Sequence, residues 1–369
     1  MALELLIGAI KAVVVLLLVL NIAAILLWFE RKGSALMQDR IGANRANIFG
    51  IGKRLGMPNL GLINTLMADA LKLFTKEDFI PDGADKFVHG LAPFLALFPV
   101  LVTFAVIPFG DTVTIMGHRI DLQAANLDVG ALYILATIGI GVYGIALAGW
   151  SSNNRWSLLG GTRATAQMIS YELAMGLAIV SIVVTYGTLD LQGICRAQGG
   201  VWFGFLPKWG ILLQPVAFLM LMTAGMAESK RVPFDLPEGE SELIAGYYVE
   251  YSGSKQAVFM LTDFAEVVLV SALATTFFFG GWQVPYLYHD GFHFPWGSMI
   301  ALPNVAVAIL GVVAFILKVL LFCWLQIVIR WTLPRFRYDQ LMRLGWKGLL
   351  PLGLANVAVT AVIVVLAGA

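Results

Sequence analysis

Cysteine, charge and basic surplus are all scarce in this chain, and each scarcity removes a class of function. Its 369 residues include only two cysteines, Cys195 and Cys323. Two thiols cannot hold an iron–sulfur cluster, a Cys-rich zinc site or a disulfide framework, so any redox metal must come from a partner. Both read as small apolar packing residues. Charged residues make up 13%, against about 25% in soluble domains, and 24 Lys and Arg against 23 Asp and Glu leave a net +1. No surplus remains for nucleic acid or anionic lipid. Nucleotide signatures are missing as well. The glycines from Gly50 to Gly56 lack dinucleotide-turn spacing and follow no strand, and no phosphate-binding G-x-x-x-x-G-K-[ST] occurs. His289 and His293 have Gly291 between them in a loop, a poor scaffold for a helical metal pair.

What the chain has in abundance is apolar sequence, 59% by count. That composition cannot cover a water-facing surface, and it predicts a membrane protein. A helix needs about 20 apolar residues to cross roughly 30 Å of hydrocarbon. Eight stretches qualify: Leu5–Phe29, Leu91–Phe109, Gly130–Trp150, Gln167–Tyr186, Ile211–Ala227, Ala257–Gly281, Val305–Ile329 and Leu349–Ala367. The expected fold is therefore all-α, one polytopic membrane domain over residues 1–369. The first stretch has no basic region ahead of it and runs into Glu30-Arg31-Lys32, as a retained span does. Of the 24 basic residues, nine fall in the first connecting loop and two, three and five in the third, fifth and seventh. By the positive-inside rule these loops face the cytoplasm or matrix and both termini lie outside. Gly139, Gly141 and Gly144 have the small-residue spacing that lets helices approach closely.

Two inner loops are too patterned to be connectors. In the first, residues 30–90, Leu60, Leu66, Met67, Ala70, Leu71 and Phe74 recur at helical spacing while Asp69, Lys72 and Lys76 fall elsewhere. This predicts an amphipathic helix along the membrane surface, after an irregular Gly-, Asn- and Arg-rich stretch from Arg40 to Gly56. In the second, residues 228–256, Glu228, Asp235, Glu238, Glu240, Glu242 and Glu250 face only Lys230 and Arg231 in the run to Glu250. Phe234, Leu236, Leu243, Ile244, Tyr247 and Tyr248 interleave them, which suits a partly buried, hydrated carboxylate chain better than a solvated face.

Five ionisable residues fall within the predicted spans: Lys11, Glu172, Asp263, Glu266 and Lys318. Each costs about 2.5–3.5 kcal/mol at mid-bilayer unless paired or hydrated. Lys11 is near a span end and can snorkel. Asp263 and Glu266 are three residues apart and share a helix face. Such carboxylates can exchange protons, or they can form a static pair with a lysine such as Lys318.

Six runs together resemble one family, the quinone-site membrane component of proton-pumping NADH:quinone oxidoreductase (respiratory complex I), known as its H-type component in bacteria and its component 1 in mitochondria. They are Glu30-Arg31-Lys32 with Asp39-Arg40-Ile41-Gly42; Ala68 to Phe74 with Lys76-Glu77; Ser170-Tyr171-Glu172; Pro233 to Glu238 continuing through Glu242 to Gly246; Glu250-Tyr251-Ser252; and Thr332 to Leu341. Ala43, Thr65 and Gly239 depart from the family's usual pattern. The resemblance implies eight membrane helices and a quinone chamber shared with soluble iron–sulfur subunits. It also implies neighbouring small subunits in the membrane arm, NAD, FMN and iron–sulfur clusters on partners, and no metal or flavin in this chain. Carried over by position, Asp235, Glu238, Glu240, Glu242 and Glu250 match the acidic loop beneath the chamber, and Glu172 the buried glutamate leading onward for proton coupling. Arg31, Arg40, Asp69, Lys72, Arg231 and Phe234 match the chamber and its mouth. A bacterial inner membrane is the expected location. A related component of a membrane-bound hydrogenase or ferredoxin-linked complex would share the acidic loop, but the intact chamber-mouth motif and the Arg335-to-Gln340 run favour the quinone version. A free-standing secondary transporter would also carry midplane charges, but the two halves of this chain show no matching helix breaks.

Overall fold

The computed structural model describes residues 2–42, 62–115, 118–202, 205–237, 244–288, 290–294 and 299–367. Leu60, Glu238, Glu240, Glu242, Leu243 and His289, and nearly all of the stretch from Arg40 to Gly56, lie outside them. The principal helices are α1 (Ala2–Met37), α2 (Leu62–Thr75), α3 (Lys86–Thr103), α4 (Gly130–Ser151), α5 (Arg155–Tyr186), α6 (Pro215–Glu228), α7 (Gly253–Phe278), α8 (Asn304–Thr332) and α9 (Leu350–Ala367). A short helix, Tyr338–Arg343, and a π-helical turn, Leu344–Leu349, lead into α9 without a break. Seven helices among the described residues are long and apolar enough to cross a membrane: α1, α3, α4, α5, α7, α8 and the continuous Tyr338–Ala367 segment.

The fifth expected span, Ile211–Ala227, is divided. Residues Gly210–Leu213 form one turn, the backbone breaks at Gln214, and Pro215 restarts the helix at its first position, where its missing N–H is harmless. The 14 residues of α6 rise about 21 Å, less than the hydrocarbon layer. Several long helices overrun their apolar stretches instead. Helix α1 continues past Phe29 to Met37, and α5 begins at Arg155 rather than Gln167, with Asn154 accepting from Trp156 N–H as its N-cap. Asp85 caps α3 in the same way, through Phe87 N–H and Val88 N–H.

Alternate loops meet at two opposite ends. At one, Phe79 N–H donates to Ser252 Oγ and Phe336 N–H to the Pro233 carbonyl, joining the first, fifth and seventh loops. At the other, Arg196 pairs with Asp111 at 2.8 Å, and Asn304 donates to Thr114 Oγ1. This second end also carries small antiparallel sheets that the all-helical expectation did not include: Thr112–Ile115 with His118–Asp121, Val201–Trp202 with Leu206–Pro207, and Leu287–Tyr288, Gly291–His293 and Met299–Ala301 in a row.

Helix α7 is the centre of the bundle, with 78% of its apolar stretch buried against 22% for α1 and 17% for the last helix. Side-chain size sets the contacts around it. A Cβ on Gly144 would stand 2.4 Å from the Ala96 backbone nitrogen, so α3 and α4 touch at the main chain, as the glycine spacing leads one to expect.

Candidate functional site

Where α1, α2 and α7 meet, they leave a cavity of about 540 Å³. Its walls are apolar: Ala23, Ala24 and Leu27 from α1, Leu73 and Phe74 from α2, Met260, Leu261 and Phe264 from α7. Charged groups gather at its edge, where Arg31 pairs with Asp69 at 2.5 Å and Lys72 and Lys76 also line it. An elongated apolar body with a polar head suits such a space, which has the volume of a small-molecule site. The sequence pattern set Asp69, Lys72 and Lys76 apart from the apolar face of α2. The structure brings them to the same cavity as Leu73 and Phe74, because the helix meets it along its polar–apolar boundary.

Arg31, Asp69 and Lys72 are thus drawn together at one cavity. Arg40 is not: its Nε donates to Gln38 Oε1 at 2.7 Å, and it lines no part of the cavity. Phe234 also stands elsewhere. Its ring packs between Tyr171 and Phe336, and its carbonyl accepts from Gln167 Nε2 at 2.9 Å. Gln167 donates to the Ala227 carbonyl as well, so one buried amide ties α5 to the end of α6 and to the acidic loop.

Phe264 is the wall between this cavity and a buried chain of charge. The Arg231 guanidinium lies 4.0 Å over its ring and donates to Glu30 Oε2 at 2.5 Å, and Arg330 donates to the other Glu30 oxygen. Glu30, 8% exposed, therefore joins the end of α1 to the α6–α7 turn and to α8. The residue before Arg231 adopts φ +52°, a left-handed conformation uncommon for lysine. That turn sends neighbouring cations to different partners. Lys230 donates to Glu266 Oε2 at 3.0 Å and stands 3.2 Å from Asp263 Oδ1. The lysine that serves these carboxylates is consequently Lys230 and not Lys318, whose ammonium donates to the backbone carbonyls of Phe279, Gly281 and Gln283.

From Glu266 the carboxylates continue inward. Glu228, 5% exposed, lines with Glu266 a cavity of about 20 Å³, room for roughly one water molecule. Glu228 is also within electrostatic reach of Glu172. Glu172 faces α4 where Gly139 leaves space: a Cβ there would stand 2.7 Å from its Oε1. Its neighbours on α5 are fixed from the last helix, Ser170 Oγ by Trp346 Nε1 at 3.0 Å, while Tyr171 OH donates to the Leu341 carbonyl.

Asp235 accepts from Arg335 Nη2 at 2.9 Å near the Glu30 cluster. Burial pushes its carboxyl above the ordinary aspartate range, and the Arg335 and Arg330 guanidinium groups oppose that push. Glu250 has a different setting. Its Oε1 accepts from Asn154 Nδ2 at 2.6 Å, and the next residue, Tyr251, stacks face to face on buried His89 at 3.9 Å. Burial raises the Tyr251 hydroxyl to about 12. Glu30, Lys230 and Arg330 were not among the sequence-derived site residues. Glu30 opens one of the matched runs and could have been found there, but the partners of Lys230 and Arg330 come from packing between distant helices.

The family model described as NADH dehydrogenase matches residues 10–361 of this chain. Among curated proteins, an H-type component of the NADH-quinone oxidoreductase of Geobacter sulfurreducens is 46% identical over 97% of this chain and 97% of its own length. Its counterpart from Rhizobium meliloti is 41% identical over 96% of each chain. That from Bdellovibrio bacteriovorus is 38% identical over 99% of this chain and 97% of its own.

Proposed function

The chain belongs to the NADH dehydrogenase family, and on that premise we propose that it is the membrane subunit that forms the quinone chamber of a proton-pumping NADH:quinone oxidoreductase. One observation carries this reading: Phe264 is at once a wall of the 540 Å³ apolar cavity and the surface on which Arg231 rests. A change of charge in that cavity is felt one ring away by a buried ion-pair chain. Quinone as substrate enters between α1 and α2, past Arg31, Asp69 and Lys72, with its tail along the Ala24–Leu27 and Met260–Leu261 walls. The chain then runs through Arg231 and Glu30, the Lys230 cluster and Glu228 to Glu172. Asp235, Glu238, Glu240, Glu242 and Glu250 belong to the acidic loop that receives protons beneath the chamber, while Arg40 and Phe234 support its edges. In this reading the whole chain is one membrane domain with eight crossings, of which α6 and its preceding turn supply the fifth. The amphipathic α2 lies along the surface, both termini face outward, and the membrane is a bacterial inner membrane. The soluble iron–sulfur subunits and neighbouring membrane subunits supply NAD, FMN and the clusters.

Purification in mild detergent tests this. Recovery of iron–sulfur and flavin subunits with quinone-dependent NADH oxidation supports the reading. Nickel-containing partners point to a hydrogenase-type complex, and a monodisperse lone protein overturns both.

A further inference from the structure

Lys230 stands out among the buried groups. Its side chain is 1% exposed, and it is the cation in ion-pair contact with the two carboxylates of α7. The described charged groups around it come from several elements. Helix α7 supplies Asp263 and Glu266, α6 supplies Glu228, and the following turn supplies Arg231, already held by Glu30, which Arg330 of α8 also grips. Glu172 of α5 and Asp235 lie further out, acting on the cluster through Glu228 and Asp263 respectively. Around Lys230 itself, among the described residues, one ammonium pairs with two carboxylates and acts electrostatically on a third, Glu228, in a space from which solvent is nearly excluded. An unpaired ionised carboxylate is far too costly in such a space, so the local cation decides how many of these groups stay charged.

The contacts are unequal. Glu266 receives the hydrogen bond, while Asp263 Oδ1 has ion-pair contact without one. Glu266, not Asp263, also opens onto the one-water cavity shared with Glu228. We propose that Lys230 is a positioning residue that sets the proton occupancy of this cluster: its hydrogen bond holds Glu266 as the anion, ready to accept a proton across the small cavity from Glu228. This deepens the proton-coupling reading above and rests on it for its physiological meaning, but the occupancy itself is independent of pumping.

The test uses the assembled complex with Lys230→Met, Lys230→Arg and the double variant Lys230→Met/Glu266→Gln. Infrared difference spectroscopy reads the protonated-carboxyl stretch, alongside the pH profile of coupled turnover. Lys230→Met is expected to gain about one protonated carboxyl, because Glu266 without its cation takes up a proton rather than remain a buried, unpaired anion. Coupled turnover should fall by about tenfold or more, equivalent to about 1.4 kcal/mol. Lys230→Arg keeps the wild-type band. The double variant removes both charges, so the extra band vanishes; if Lys230→Met assembles poorly, the double variant assembles better. An assembled Lys230→Met complex with an unchanged band overturns the inference, as does a double variant that assembles no better than a failing single one. An extra band with wild-type pumping supports the role of Lys230 and overturns the coupling reading instead.

Discussion

Two buried lysines from other elements pack against α7, one at its middle and one beyond its carboxyl end, and they are satisfied by different chemistry. At mid-helix Lys230 meets the carboxylates of Asp263 and Glu266. Beyond the carboxyl end, Lys318 donates to the carbonyls of Phe279, Gly281 and Gln283 at 2.8, 2.9 and 2.7 Å and lies 5.0 Å over the Trp209 ring. Backbone carbonyls take up no proton in the physiological range. Lys318 therefore closes the carboxyl end of a helix, where orphan carbonyls and the helix dipole both favour a cation. Carboxylates can change charge, so the same residue type at Lys230 sits in a responsive environment. A charge inside the membrane is thus no sign of function until its partner is known.

The largest effect expected from this comparison is structural and belongs to Lys318. Lys318→Met leaves three carbonyls without their donor, and each buried unmet group costs about 1–3 kcal/mol. Assembly yield, measured by the amount of intact complex recovered, should drop sharply. Whatever complex survives should keep the wild-type pH profile of turnover. Normal yield with a shifted profile would erase the distinction between the two lysines.

Next in size is a functional effect on the responsive side. Glu172→Gln keeps the side chain's shape in the space beside Gly139, so assembly should persist. Coupled turnover and pumping in membrane vesicles should fall by about tenfold or more, which is about 1.4 kcal/mol of transition-state or gating free energy. Wild-type pumping in that variant removes Glu172 from the chain.

The same contrast explains what could be read from sequence. Apolar length located the long spans, and the three-residue spacing of Asp263 and Glu266 placed both on one face of α7. These are local properties of a chain in lipid. Which lysine answers those carboxylates is a tertiary fact. Lys318 lies inside an apolar span, whereas Lys230 lies in a loop whose sequence does not show which carboxylates it meets. The positive φ of Lys230 that redirects it leaves no trace in residue type, since glycine would be the usual marker. Helix ends were similarly hidden. The first turns of α5, from Arg155, carry polar residues that hydropathy counts as loop, and the divided α6 reads as one continuous apolar run because its break lies at Gln214-Pro215. At the cavity, Arg31, Asp69 and Lys72 were legible through their matched runs, while the shared wall at Phe264 required the packing of three helices.

A smaller effect should separate Asp235 from the Lys230 cluster. Burial raises its carboxyl despite Arg335 and Arg330, so the folded state holds its proton more tightly than the unfolded chain does. Stability from this group is then fully present below the ordinary aspartate value of about 3.8 and is lost as pH rises through the raised folded value. Asp235→Asn should flatten that part of the curve, seen as a thermal midpoint that declines less across the mildly acidic range. Parallel curves for both proteins would mean that Asp235 takes no part in the acid dependence.

The mildest change is expected at the cavity mouth, where the Arg31–Asp69 pair is open to solvent, at 45% and 27% exposure. An exposed pair of this kind contributes about 0.2–1 kcal/mol to stability, so Arg31→Ala should leave assembly and the thermal midpoint nearly unchanged. Its effect should appear instead in the concentration of quinone needed. Loss of one guanidinium at the mouth should raise the apparent KM for quinone by about two- to fivefold, or about 0.4–1 kcal/mol, with kcat held. Asp69→Ala should act in the same direction if the pair acts as a unit in shaping the mouth. A KM unchanged in both variants would move the quinone's path away from α1 and α2. The buried chain behind Phe264 would then lack a substrate beside it, and the contrast between the two lysines packed against α7 would have to be explained by structure alone.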